Sequence, residues 1–336
     1  MKRANGLFEQ VTAVDKLLAA YRRAFRGSGR TVEACVFTFN LEEELFLLKN
    51  ELESGEYIPQ KYRYFRISEP KPREISVAAF RDRVVHHAVV AAIEPLFERC
   101  FIHHSYATRK GKGNQRAVRS AQSYLRRGYY YLKADVEKYF DSIDHNILLA
   151  LISRKLKDRQ LLSLIGTIIN NSDRSRNLEC GKGLPIGNLT SQFLANVYLN
   201  GLDHYVLEEL KAGYYIRYMD DFVLFADDKT RLREWRDSIA SYLEENLSLK
   251  LKEKATFINS RQNGLPFLGL RIFPNLLRLK PGNVRRLKRR ILMRMEQLLA
   301  GEISETDWRQ SLESIFGYME FADTFMLRRS LFSEYG

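Results

Sequence analysis

Three aspartates are the residues of this sequence best placed to do chemistry. Asp220 and Asp221 are adjacent, set between Tyr214-Tyr215-Ile216-Arg217-Tyr218 and Phe222-Val223-Leu224-Phe225-Ala226. Runs rich in β-branched and aromatic residues read as strands, and a short polar break between two of them reads as a tight hairpin. The carboxylate pair therefore sits at the tip of an apolar ribbon. Two like charges so close repel, and burial raises the cost further. A divalent cation is the simplest compensation, because hard oxygen ligands suit Mg²⁺. An isolated Asp-Asp turn is ordinarily solvated loop chemistry, but here a third carboxylate accompanies it. Asp135 follows the strand-like Tyr130-Tyr131-Leu132-Lys133; on its own it would read as a helix N-cap. Converging from a strand end and a distant hairpin, the three could hold two Mg²⁺ ions, with Mn²⁺ as a substitute. Such a site clamps the attacking and leaving oxygens of an in-line phosphoryl displacement.

Composition narrows the partners. The 336 residues carry 54 Lys and Arg against 41 Asp and Glu, a net charge of +13. That excess points to a polyanion, nucleic acid first and an anionic membrane surface second. A hydrophobic content of 45% suffices for a sizeable core and excludes a disordered chain. No apolar run approaches the roughly 20 residues that span a bilayer, and no apolar segment follows the basic N-terminus, so neither a membrane partner nor secretion is expected. Cys35, Cys100 and Cys180 lack CxxC spacing and read as reduced core thiols of a cytoplasmic protein. No zinc pattern is present.

The elements that must position the aspartates follow from periodicity. Helical spacing covers residues 8–25, 40–53, 82–101 and 114–127, then two helices within 145–170, one over 189–210 and one over 232–247. Strands are expected at 62–67, at 129–133 running on to Asp135, on both sides of the hairpin, and at 249–258 and 265–272. Pro70-Lys71-Pro72-Arg73 is a rigid basic turn, Arg109-Lys110-Gly111-Lys112-Gly113 a basic loop, and Gly181–Gly187 a glycine-rich loop. From Pro281 the chain turns helical and strongly basic. Helices and strands alternate irregularly, which fits an α+β fold better than a regular βαβ array.

Taken together, these motifs resemble a prokaryotic reverse transcriptase of the group II intron and retron kind. Asp135 with Phe140 matches that family's first carboxylate motif, and Tyr218-Met219-Asp220-Asp221 matches its YxDD motif. Gly183-Leu184-Pro185-Ile186-Gly187-Asn188-Leu189-Thr190-Ser191-Gln192 matches the loop and helix that pack against the nascent base pair. Phe267-Leu268-Gly269 resembles the primer-grip turn. Pro70–Arg73, Arg81-Asp82-Arg83 and Ser105–Arg109 resemble fingers elements. The match runs in order from about residue 60 to 275, and an ordered set of this kind is far more specific than YxDD alone.

The resemblance implies a right-hand polymerase: an N-terminal helical extension (1–60), fingers (61–128), a palm of antiparallel sheet with helices (129–275, with a finger-type insertion at about 145–180) and a helical thumb (276–336). It implies that Asp135 and Asp220 ligate the metals while Asp221 is more peripheral. Lys71 and Arg73 would meet the triphosphate, since cations with planar donors suit phosphate oxygens. Phe140 would exclude a 2′-hydroxyl, and Ile186, Gly187 and Gln192 would line the incoming nucleotide and template base. Lys252 or Lys254 is a candidate proton donor to pyrophosphate. Arg109, Lys110 and Lys112, the Phe267–Gly269 turn, and Arg285, Arg286, Lys288 and Arg289 would follow template RNA and the primer or cDNA without reading sequence.

A narrower resemblance comes from Ile186 and Gln192. Intron enzymes carry Gln-Gly at the first of these positions and close the motif in Ser-Pro. The Ile and Gln forms are those of the reverse transcriptases of diversity-generating retroelements, as is the Phe-Ala-Asp-Thr near the C-terminus, Phe321–Thr324. That group makes cDNA from a template-repeat RNA with errors at adenines (mutagenic retrohoming), using dNTPs and a small basic accessory variability protein. Replacing an amide by a branched apolar chain removes hydrogen bonds that could fix a base, so discrimination among base pairs should weaken. No nuclease, maturase or RNase H pattern is expected. Two other readings stand beside this one: a phage-defence or retron-like enzyme copying a dedicated non-coding RNA, and a non-catalytic RNA-binding protein on a polymerase scaffold. Intact carboxylates argue against the latter, because desolvated and unneutralised they would only destabilise the fold.

Overall fold

In the computed structural model the described residues are 3–29, 31–68, 72–171 and 179–335. In chain order they form α1 (Leu7–Thr12), α2 (Val14–Arg26), α3 (Val32–Phe39), α4 (Leu41–Ser54), β1 (Arg63–Ile67), β2 (Arg73–Val77), α5 (Phe80–Glu98), α6 (Asn114–Arg127), β3 (Tyr130–Asp135), α7 (Tyr139–Ser142), α8 (His145–Ser153), α9 (Arg159–Asn170) and α10 (Leu189–His204). There follow β4 (Tyr215–Tyr218), β5 (Asp221–Ala226), α11 (Lys229–Leu247), β6 (Phe257–Ser260), β7 (Leu265–Phe267), β8 (Leu270–Phe273), β9 (Leu276–Leu279), α12 (Pro281–Leu299), α13 (Glu305–Glu320) and α14 (Phe325–Tyr335). The fold is α+β. Its two compact units interleave along the chain: Met1–Thr108, Val136–Lys211 and Ser238–Lys252 make the first, and Arg109–Asp135, Ala212–Asp237 and Glu253–Gly336 the second.

The first unit is built on α5, which buries Phe80, Val84, Val85, Ala88, Val89, Ile93 and Phe97. It packs against α2, through Leu17, Ala20, Tyr21 and Ala24, and against α10. The Tyr21 ring stacks on Phe37 at 5.8 Å and meets Phe80 edge-on at 6.1 Å, tying α2 and α3 to the start of α5. Side-chain caps set several helix starts, satisfying otherwise orphaned backbone N–H groups. Asp158 accepts from Leu161 N at the start of α9, and its second oxygen accepts from Phe8 N at 2.9 Å, which fixes α1 on the same cap.

His86, on the buried face of α5, is only 2% exposed and its Nδ1 has no hydrogen-bond partner. Burial, with the charges of His87 and Arg83 adding to it, holds its pKa down at about 3, below the ordinary 6.5. The unfolded chain therefore takes up this proton first. Stability from the neutral ring is complete above pH 6.5 and is lost as pH falls from there toward 3. Between pH 7 and pH 5 the expected loss from this group is about 2 kcal/mol. Urea denaturation of wild type and His86→Leu at both pH values checks this; an equal acid loss in the two proteins would refute it.

In the second unit four strands form an antiparallel sheet in the order β4-β5-β3-β6. β3 and β5 alternate between neighbours buried on both faces, leaving Tyr131, Leu132, Ala134, Phe222, Val223, Leu224 and Phe225 inside. α6 lies on β4 and β5 and buries Ala117, Val118, Ala121 and Leu125. A second antiparallel sheet, β7-β8-β9, follows, and α12, α13 and α14 complete the unit. Asp323 fastens this region: its carboxylate accepts from Leu277 N at 2.7 Å while its own N–H donates to Leu277 O at 2.9 Å.

Several sequence expectations need correction. The helix expected over 8–25 is broken at Ala13, whose ψ of 130° is extended. α3 was not expected, because Val32-Glu33-Ala34-Cys35-Val36-Phe37-Thr38-Phe39 lacks a polar face; Thr31 starts it by accepting from Ala34 N at 3.3 Å. The strand expected over 249–258 reduces to β6, since Glu253–Ala255 is a 3₁₀ turn. The single strand expected over 265–272 is a hairpin, folded at Leu268 and Gly269, whose φ values are 45° and 83°. The cysteines are not core thiols. Cys35 and Cys180 are exposed and Cys100 is half-buried, because α3 turns Ala34 and Phe37 inward and leaves Cys35 one step off that face. Among the described residues no helix is long and apolar enough to cross a membrane.

Candidate active site

The second unit brings the three aspartates together by strand register. Asp135 ends β3 directly opposite Asp221, the first residue of β5, and Tyr218 at the end of β4 also pairs with Asp221. Asp220 sits in the two-residue connection, next to Met219. Met219 has φ 57°, a left-handed conformation usually given to Gly or Asn in such turns. Buried Arg217 supports it, its Nη1 donating to Met219 O at 3.1 Å.

The electrostatics are those of crowded acids. Asp220 is held well above the ordinary carboxylate range, first by burial and next by the charge of Asp135 beside it. Asp221 is raised too, by burial, with Lys133 pulling against the rise. The Lys133 Nζ lies 2.9 Å from Asp221 Oδ1 as an ion pair. Crowded carboxylates are a donor set that suits a hard cation. Among the described residues no three acidic, His or Cys side chains stand ready to hold one ion, and Asp221 is engaged by Lys133. The residues thus fit a divalent ion held by Asp135 and Asp220, with Asp221 set back.

The same unit carries the turn and the basic helix singled out in the sequence. Phe267 is buried at the end of β7, and Leu268 and Gly269 make the turn into β8. Gly269 O accepts from Lys280 N at 3.2 Å and from Asn283 Nδ2 at 2.9 Å, so the turn is fastened to the first turn of α12. Arg285 and Arg289, one helical turn apart on α12, are exposed, while Arg286 and Lys288 are half-buried. Arg109, Lys110 and Lys112 lie in the loop before α6, where Lys112 N donates to Arg109 O at 3.2 Å.

The remaining candidates fall in the first unit, and backbone hydrogen bonds gather them. Phe140 lies in the single turn α7, and its carbonyl accepts from Leu184 N at 2.7 Å. Ile143 O accepts from Gly183 N at 2.8 Å, and Ile186 O accepts from Ser76 N at 2.8 Å. β2, which begins at exposed Arg73, is thereby joined to the Ile186-Gly187 loop, and α10 follows with half-buried Gln192. Lys71 lies outside the described residues. Lys252 is half-buried in this unit, and Lys254 is exposed in the second.

Sequence reading missed three residues here. Lys133 and Arg217 were read only as members of strands and given no role, although Lys133 stands two residues before Asp135 and so on its face of the sheet. Asn188 is 4% exposed, and its side-chain nitrogen has no hydrogen-bond partner.

An antiparallel sheet that sets the two carboxylates of one hairpin against a third on its central strand is the palm of a template-directed polymerase. A sequence profile described as reverse transcriptase (RNA-dependent DNA polymerase) matches residues 60–272. The chain belongs to this reverse transcriptase family, and with it to the nucleotidyltransferases. Protein YkfC of Escherichia coli is 29% identical over 273 residues, covering 69% of this chain and 72% of that one. The group II intron-encoded protein LtrA of Lactococcus lactis is 29% identical over 173 residues, 50% of this chain but only 29% of its own length. Among solved structures, telomerase from Candida albicans in complex with a fragment of telomeric RNA aligns with 78% of this chain and 55% of its own, at a TM-score of 0.49 and 11% identity.

Proposed function

We propose that the protein makes cDNA on an RNA template at the Asp135–Asp220–Asp221 site, and that it is the adenine-mutagenic enzyme of a diversity-generating retroelement. The pairing of Asp135 with Asp221 across β3 and β5, with Asp220 in the adjoining turn, carries the catalytic part. Asp135 and Asp220 would hold Mg²⁺. When bound, the ions would polarise the phosphoryl oxygens and favour the deprotonated primer hydroxyl. Asp221 with Lys133 flanks the pair. Arg73 and Lys71 bind the triphosphate, Phe140 excludes a 2′-hydroxyl, and the Phe267–Gly269 turn with α12 holds the primer strand. Template RNA, primer and dNTPs are the partners, with a small basic accessory protein and a cytoplasmic setting belonging to the narrower reading.

Ile186 carries that narrower reading. Its carbonyl is committed to Ser76 N, and its apolar side chain offers no donor or acceptor where the intron enzymes have an amide. A hydrogen bond restored there should sharpen base discrimination by about 1–1.5 kcal/mol, or about tenfold. Sequencing cDNA made on an adenine-containing RNA template by wild type and Ile186→Gln tests this. The expected result is errors concentrated opposite adenine and reduced about tenfold in the variant. Accurate cDNA from the wild type would replace the mutagenic reading with the retron-like or defence reading.

A further inference from the structure

Among the described residues Lys133 is the one lysine that is buried, at 8% exposure. A buried ammonium is costly unless well paired, so its place in the sheet calls for a reason. In the β3–β5 register Lys133 stands opposite Val223, and Asp135 opposite Asp221. Alternate residues share a face, so Lys133, Asp135, Val223 and Asp221 all point the same way, and Lys133 reaches diagonally to Asp221 Oδ1 at 2.9 Å. On its other side it pairs with Phe257 of β6. Its stem therefore runs between an aliphatic and an aromatic neighbour, which leaves the ammonium little room to swing away.

We propose that Lys133 is a positioning residue that holds Asp221 back, so that Asp135 and Asp220 alone present their oxygens to a divalent ion. The inference rests on the ion-site reading above. Charge counting supports it. Three carboxylates and one ammonium leave a net charge of −2, which the first divalent ion bound neutralises. Without Lys133 the count is −3, and Asp221 becomes free to compete for the ion. A pin on one of three crowded ligands also settles which geometry the ion meets, and catalytic sites depend on such fixed geometry.

The test is Mn²⁺ titration of the full-length protein by electron paramagnetic resonance, with dNTP incorporation measured alongside. Lys133→Met keeps the stem and removes the charge. It is expected to bind Mn²⁺ about tenfold more tightly while its kcat falls and its KM for dNTP holds; Lys133→Arg should restore wild-type values. Should Lys133→Met not fold, the double variant Lys133→Met/Asp221→Asn decides. It removes one charge of each sign, keeps the net −2, and is expected to fold and to bind Mn²⁺ as the wild type does. Mn²⁺ affinity unaltered in Lys133→Met, or changed severalfold in the double variant, overturns the inference alone. Wild-type Mn²⁺ binding that Asp220→Asn leaves intact overturns the ion-site reading and this inference with it.

Discussion

Asp220→Asn is expected to abolish dNTP incorporation and, in the same protein preparation, to raise the unfolding midpoint. The two effects share one cause. Asp220 is forced up from the ordinary carboxylate range by its burial and by Asp135, so without an ion the folded chain bears a repulsion that the unfolded chain escapes. An amide of the same shape removes that repulsion, and a gain of about 1–2 kcal/mol in EDTA is the expected size for relieving a strained functional site. The same amide cannot supply an anionic oxygen to a divalent ion. Loss of ion-borne transition-state stabilisation of about 4 kcal/mol corresponds to about a thousandfold fall in rate. Thermal unfolding in EDTA and single-nucleotide extension in Mg²⁺ measure the two arms. A variant that extends primer at close to the wild-type rate would remove Asp220 from the catalytic set. A variant that loses both activity and stability would mean that Asp220 holds the hairpin together, which its position beside the left-handed Met219 makes the competing reading.

What the sequence made legible here was governed by how local the signal is. The hairpin stands out because Tyr214–Tyr218 and Phe222–Ala226 are dense in strand-forming residues on both sides of a two-residue break, and β4 and β5 form where that pattern requires. Asp135 was legible as the end of a strand, but its alignment with Asp221 is a non-local register that no single segment encodes. Lys133 and Arg217 were illegible for a related reason. A lysine or arginine within a strand ordinarily means a solvated face, and it is the structure that shows Lys133 paired with Asp221 and Arg217 donating to the Met219 carbonyl. The short strands β2 and β9, of 5 and 4 residues, were not expected. They exist because β1 and β8 give them partners. The hairpin β7–β8 was read as one strand because Leu268-Gly269 interrupts the apolar run without a polar residue, and left-handed backbone at a leucine has no sequence signal.

Gly187→Ala carries the second large expected effect, and its origin is steric. Gly187 has φ 116°, where an L side chain is strained, and a Cβ built there would lie 2.8 Å from Ile75 Cγ2 and 3.0 Å from Ser76 O. The isoleucine could turn aside, but the carbonyl belongs to β2 and cannot move alone. Shifting it disturbs Ser76, whose N–H donates to Ile186 O at 2.8 Å and holds β2 on this loop. Strain together with overpacking predicts a loss of about 2–4 kcal/mol. The functional consequence follows from what β2 carries. Arg73 begins that strand, so displacing it should weaken triphosphate binding more than it alters the carboxylates, which lie in β3 and in the β4–β5 hairpin. The expected result is a lower urea midpoint and a KM for dNTP raised about tenfold, the size of one charge-assisted hydrogen bond lost, with kcat changed far less. Equal falls in kcat and kcat/KM at an unchanged KM would show that the loop acts on the chemical step, and the assignment of β2 to triphosphate binding would fall.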